Sequence, residues 1–252
     1  MARINLSRFY RENLRLNTSL SERLRKKLTS FFNKYKKKLV SDLNNEGDIK
    51  DGFYLSFHRD LTKILTSHSV VCEREVNQLN QRIRSLKKQD DYMSDEYRDN
   101  ELAKNVTQVT DTTRNKIKVA ISLGLSEGLP ISDIAKNIVT GTAFSKNRAK
   151  TIARTETGSA MNLYHIRNAK RSALRNPVKM WLSAMDDRAR QWHKDMNRKF
   201  VDVNADFTVL TPEGNLIVPR LMAFPCDERG GASNVINCRC TIVTLDEEDI
   251  IE

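Results

Sequence analysis

The sequence predicts an α+β protein: a long N-terminal helical bundle or hairpin followed by a small C-terminal α+β unit. Three observations point there. Apolar residues recur at three- and four-residue steps through most of the chain up to about residue 172. Glycine (9) and proline (5) are scarce among 252 residues, which disfavours a turn-rich all-β chain. After Asn176-Pro177 the texture changes to short strand-like runs separated by turn residues.

Residues 3–44 read as a helix, with Leu6, Phe9, Tyr10, Leu14, Leu24, Leu28, Phe31, Phe32, Tyr35 and Leu39 on its apolar stripe. Asn44-Asn45-Glu46-Gly47-Asp48 signals a turn. A second helix is predicted over 52–88 and a third over 94–123, with a polar loop or surface turn at 87–91 between them. Helices this long need partners, because most helix stability comes from packing an apolar face. Gly124, Gly128 and Pro130 break the pattern, and Ser132 and Asp133 offer N-caps to a short helix over 134–139. Gly141 ends it, and Ser145 caps a further helix to about Ser172. Beyond lie expected strands at 178–182, 200–203, 207–210, 216–218 and 240–245, with a short helix at 186–196. Pro212-Glu213-Gly214-Asn215 reads as a hairpin turn. The predicted domains are a basic helical region over 1–124 and a second domain over 125–252, with helices at 132–172 and the α+β unit at 178–245.

The formal charge is +11, with 43 Lys/Arg against 32 Asp/Glu. Residues 1–44 concentrate twelve of those cations against Glu12, Glu22 and Asp42. Such an arm suits a polyanionic partner, nucleic acid or an acidic protein surface, and equally a solvated helix face. No apolar run approaches the ~20 residues of a membrane span. The start of the chain lacks the uncharged core of a signal peptide, so a cytosolic origin with reduced thiols is expected.

The chemistry is concentrated between Trp181 and Cys240. His193, Cys226, Cys238 and Cys240 are the candidate metal ligands, of the kinds that zinc takes in a tetrahedral shell. Residues two apart in extended chain face the same way, which puts both sulfurs of Cys238 and Cys240 on one side. Asp186 or Asp227 is a substitute ligand. The competing reading makes the thiols small buried hydrophobes and His193 a local hydrogen-bonding group. Asp186 can cap the helix after it, pair with Arg190 four residues on, or orient His193 for proton transfer. Arg154 and Glu156 are expected to tie their helix to the α+β unit. Over residues 119–157 a short helix, a turn containing Gly141 and a basic helix with Lys146, Arg148, Lys150 and Arg154 resemble helix-turn-helix geometry, as any two short helices with lysines would.

In order along the chain stand Ile152-Ala153-Arg154-Thr155-Glu156-Thr157, Trp181-Leu182-Ser183-Ala184-Met185-Asp186, Arg190-Gln191-Trp192-His193, Pro225-Cys226-Asp227 and Asn237-Cys238-Arg239-Cys240. This series resembles the phage head morphogenesis family, the Mu F-like minor head proteins, over about residues 120–245. Ala189 stands where the family usually has Thr, and Cys226 where Gly is common, leaving Cys226 as a local extra ligand. The resemblance implies a minor capsid protein of a tailed phage, without catalytic residues. It would assemble in the host cytoplasm with the portal protein and with major capsid or scaffold protein, and reside in the virion. Contact of the basic helices with packaged DNA would be non-specific. Two other functions compete: a metal-dependent nuclease or hydrolase using Asp186, His193 and Glu156, and a DNA-binding module over 130–157.

Overall fold

The structure is a computed structural model and describes residues 5–84, 95–172 and 174–249. It is α+β. Helices α1 (Leu6–Glu46), α2 (Asp51–Arg84), α3 (Asp95–Ser126), α4 (Ile131–Thr140) and α5 (Lys146–Arg171) come first. Then follow β1 (Pro177–Leu182), α6 (Gln191–Lys194), β2 (Phe200–Asp202), β3 (Phe207–Glu213), β4 (Leu216–Met222), α7 (Ala232–Val235) and β5 (Thr241–Asp246). The loop expected at 87–91, and residues 3, 4, 85, 86 and 94 of the expected helices, lie outside the described residues. No helix among those described is long and apolar enough to cross a membrane.

Three details differ from the sequence expectation. Helix α4 starts at Ile131 with Pro130 before it and no side-chain cap. Pro130 has no N–H to leave unpaired, and its carbonyl accepts from the N–H groups of Asp133 and Ile134. The helix expected at 186–196 shrinks to α6, because Met185 turns into the left-handed region (φ 50°) and Asp186–Ala189 closes a turn. Strands β3 and β4 run further than predicted, so the hairpin narrows to Gly214-Asn215, with Gly214 at φ 62°. Ser145 caps α5 as expected, its Oγ accepting from the Arg148 N–H at 3.1 Å.

Two compact units divide the chain, each drawn from separated segments: 23–68 with 92–153, and 1–22 with 69–91 and 154–252. The first is helical. Its core is an aromatic cluster in which Phe31, Phe32 and Tyr35 of α1 meet Phe53 and Phe57 of α2. Ring centroids lie 4.7 Å apart for Phe31–Phe57 and 5.0 Å for Tyr35–Phe57, in tilted and edge-on geometries that aromatic quadrupoles favour. Phe144, in the turn between α4 and α5, closes the cluster edge-on to Phe32. Arg148 is turned inward beside it. The guanidinium donates to Thr113 Oγ1, Ala143 O and Val109 O at 2.6–3.1 Å. Burial lowers its pKa to about 10, so it stays charged at neutral pH. In a helix-turn-helix this cation would face phosphate; here it holds α3 to α5, which removes it from any DNA-reading surface.

The second unit is built on an antiparallel sheet of order β2-β1-β5, with β3–β4 forming a separate hairpin. Strands β1 and β5 pair from Pro177↔Asp246 to Leu182↔Thr241. Alternation sends Val178, Met180 and Leu182 with Val243 and Leu245 to one face, where Phe9 of α1 covers them. Trp181 and Ile242 point to the other face and join Phe207, Val209, Met222, Phe224 and the three cysteines Cys226, Cys238 and Cys240. Both faces are buried, which explains why β1 and β5 read as near-continuous apolar runs. The inner face also holds a charged side chain: Lys179 is 1% exposed, with its ammonium 5.5 Å from the Phe207 ring centroid.

Two outcomes follow. Replacing Arg148 by Met should destabilise the protein by about 1–3 kcal/mol, since its partners lose a buried charged donor; urea denaturation measures this. Burial lowers the Lys179 pKa to about 8, although the Asp206 carboxylate pulls it up. An unfolded lysine titrates near 10.4, so between about pH 8 and 10 the unfolded chain holds more protons and stability rises with pH. Lys179→Met should raise the denaturation midpoint at pH 7 and flatten that rise.

Candidate metal centre

Four segments converge on the inner face of the sheet. Trp181 of β1 is fully buried and meets both His193 and Phe207 edge-on, at 5.5 and 5.4 Å between centroids. It presses α6 against the sheet and fixes where His193 stands. Helix α5 supplies Asn162, which is buried. Its amide donates to Pro225 O at 2.8 Å, and its Oδ1 accepts from Thr241 Oγ1 and Ile242 N. One carboxamide thus anchors the segment before Cys226 and the one after Cys240. Gly158 lies one turn earlier on α5. A Cβ there would come within 3.0 Å of Cys226 Sγ, so the missing side chain leaves room for that thiol.

His193, Cys238 and Cys240 are brought together, with their ligand atoms all within 4.8 Å of one another. His193 Nδ1 lies 3.5 Å from Cys238 Sγ and 3.6 Å from Cys240 Sγ. Both cysteines precede β5 and lie outside its strand pairing, and both sulfurs nevertheless face His193. The Cys240 N–H points at Cys238 Sγ at 3.4 Å. Cys226 is outside the trio. Its thiol donates toward Cys238 O at 3.9 Å, and its backbone is left-handed at φ 70°. His193, Cys226, Cys238 and Cys240 are all at most 6% exposed.

Asn234 sets the imidazole tautomer. Its Nδ2 donates to Gly230 O and Thr211 Oγ1, both at 2.8 Å. Its Oδ1 must therefore face Trp192 Nε1 at 2.8 Å and His193 Nε2 at 3.1 Å. An indole N–H only donates and an amide oxygen only accepts, so the proton of His193 sits on Nε2. The Nδ1 lone pair is left pointing at the two sulfurs. A hydrogen bond on the far nitrogen is the usual partner of a metal-binding histidine. The surroundings of Cys238 and Cys240 favour their neutral thiol forms. The neighbouring Cys226 thiol raises Cys238, and the neighbouring Cys238 thiol, with burial, raises Cys240. A cation among them would reverse that preference.

The carboxylates proposed as substitute ligands are engaged elsewhere. Asp186 receives Arg239 on both oxygens at 2.5–2.6 Å, and the Arg188 N–H on Oδ1. The Arg239 guanidinium holds the Asp186 carboxyl far below the usual range. Asp186 neither caps α6 nor orients His193: Arg190 stands at the helix start and Asn234 holds the ring. Arg190 reaches Ile236 O instead of Asp186. Asp227 caps the turn at Glu228–Gly230, and its Oδ2 receives the Ala223 N–H at 2.6 Å. Arg229 bridges it to Asp206. Arg154 does reach the α+β segment, through Asn237 Oδ1 at 3.4 Å, as Thr155 Oγ1 does through the Asn237 N–H. Tyr10 of α1 borders the centre, its phenol pushed up to about 12 by burial and then by Cys240. Sequence reasoning missed Asn162 and Asn234, because a single asparagine carries no local sign of its long-range partners.

This chain belongs to the Phage Mu protein F like protein family, whose pattern matches residues 115–243. It is 34% identical over 152 residues to the NAD(+)–arginine ADP-ribosyltransferase EFV of Enterococcus faecalis, covering 59% of this chain and 27% of that protein. It is 27% identical over 137 residues to the minor head protein GP7 of Bacillus phage SPP1, covering 54% of this chain and 42% of that one. The chain thus spans less than half the length of either relative. No solved structure matches.

Replacing Asn234 by Leu should strand the Trp192 and His193 N–H groups and cost about 2–4 kcal/mol. Thermal denaturation reads the loss, and NMR of the His193 ring nitrogens reads the released tautomer.

Proposed function

We propose that this chain is a minor head component of a tailed phage, taken up beside the portal during assembly in the host cytoplasm and retained in the virion. The observation that carries the reading is the family match across residues 115–243, with a minor head protein among the relatives. The matches to GP7 and to the transferase take 54% and 59% of this chain and must overlap, since together they exceed it. We therefore read the segment shared with the transferase as its head-protein part, and assign this chain no catalysis. The nuclease or hydrolase reading is weaker on geometry: Asp186 is clamped by Arg239, and both ring nitrogens of His193 are directed at protein groups.

Two surfaces support assembly. On α1, Arg23, Lys26, Lys27, Lys34 and Lys37 are exposed while Leu24, Leu28, Phe31 and Tyr35 are buried. That row suits phosphate contact without sequence reading, with an affinity that falls as salt rises. On the hairpin, Thr208, Leu210 and Pro212 of β3 face Leu221, Pro219 and Ile217 of β4, and all six are exposed and uncharged. Proline has no N–H for its partner strand, so Pro212 and Pro219 direct their nitrogens to the free edges and blunt strand addition there. The face is left as the contact. Two copies meeting there would each bring +11 of charge, which disfavours self-association. The occupant we read is accordingly another head protein, portal, scaffold or major capsid, with an apolar surface in an acidic surround.

Tagged chain recovered from infected cells should bring portal or capsid protein with it; consistent absence of head proteins would end the head reading. Leu210→Lys with Leu221→Glu should leave the melting curve unchanged and reduce incorporation into heads several-fold. Unchanged incorporation would move the contact off the hairpin.

A further inference from the structure

We infer that His193 Nδ1, Cys238 Sγ and Cys240 Sγ bind one zinc ion and that Cys226 Sγ closes the shell as its fourth ligand. The reading goes beyond the assembly role and does not depend on it.

The distances argue first. A tetrahedral zinc with metal–sulfur bonds of about 2.3 Å and a metal–nitrogen bond of about 2.0–2.1 Å holds sulfur and nitrogen about 3.6 Å apart. The observed separations are 3.5 and 3.6 Å. A histidine nitrogen has one lone pair, which one thiol hydrogen bond satisfies, and the Cys240 thiol has a separate acceptor in Ser183 Oγ at 3.7 Å. The nearly equal spacing of both sulfurs from that one lone pair nevertheless matches the two edges that a common metal ion would set.

The surroundings argue next. Asn234 holds the Nε2 proton, so Nδ1 is already in the state a metal requires. The Cys240 N–H at Cys238 Sγ favours a thiolate there. Carboxylates that would attract harder cations are absent from the trio, because Asp186 and Asp227 are engaged with arginines. A nitrogen–sulfur set with tetrahedral edges selects zinc over magnesium or calcium.

Cys226 supplies the closure. The site is buried, so an open position filled by bulk water is disfavoured, and structural zinc sites are closed by four protein ligands. Cys226 is 1% exposed and its thiol lies against the Cys238 backbone and Gly158. It occupies a left-handed backbone position that favours glycine, at a cost on the order of 1–2 kcal/mol. A buried thiol held there against its backbone preference, 3.9 Å from the carbonyl oxygen of one cysteine of the trio, is placed for coordination.

The test is metal content, then cobalt spectroscopy. Full-length chain purified without chelator should carry about one zinc per molecule. Exchange for cobalt should give the visible bands of a tetrahedral ion and a near-ultraviolet thiolate band. In Cys226→Ser that thiolate band should fall by about one third, as three sulfurs become two. A serine at this position removes the sulfur with little change in volume, so the variant should fold, and a melting curve checks this. Wild-type chain that carries no zinc and takes up none on titration overturns the inference. A full-strength thiolate band in Cys226→Ser overturns the four-ligand centre.

Discussion

The Asn234 carboxamide has no rotational freedom. Its nitrogen is bound to the carbonyl of Gly230, which can only accept, and its oxygen faces the indole N–H of Trp192, which can only donate. From that constraint follows the His193 tautomer, and from the tautomer follows a lone pair aimed between Cys238 and Cys240. Trp181 fixes the ring from the sheet side, and Asn162 fixes the chain around the cysteines from α5. The centre is thus imposed by neutral amides and packing rather than by charge.

The backbone around it carries strain that the fold must offset. Met185, Arg198, Cys226 and Asn237 all sit at positive φ, and all lie in the segment between β1 and β5. Asparagine tolerates this region, whereas the other three side chains do so at some cost. Buried apolar groups from both sheet faces, with the Asp206–Arg229–Asp227 and Asp186–Arg239 ion pairs near the surface, hold those turns closed.

The helical unit solves a different problem. A long, strongly cationic helix would repel itself if its charges were bunched, and the apolar stripe prevents this by sending most of them outward to solvent. Arg148 is a cation that goes inward, and it is surrounded by carbonyls and an aromatic ring in place of carboxylates. Spacing alone made Arg148 resemble a DNA-reading residue, because spacing records where a side chain starts and not where it ends.

The sequence alone determined the element types, their order and the family. Apolar periodicity and turn residues are local properties, and the motif series from Ala153 to Cys240 is linear. It also marked His193, Cys226, Cys238 and Cys240 as one group, since few residue types carry such chemistry. The tertiary structure decided the rest. It shortened the 186–196 helix through the left-handed Met185, paired Asp186 with Arg239 instead of Arg190 or His193, and left the Cys226 thiol against the Cys238 carbonyl, outside the trio of His193, Cys238 and Cys240. It alone disclosed Asn162 and Asn234. Their partners lie up to about 80 positions away, and a hydrogen bond closed across such a distance is set by packing that no neighbouring residue encodes.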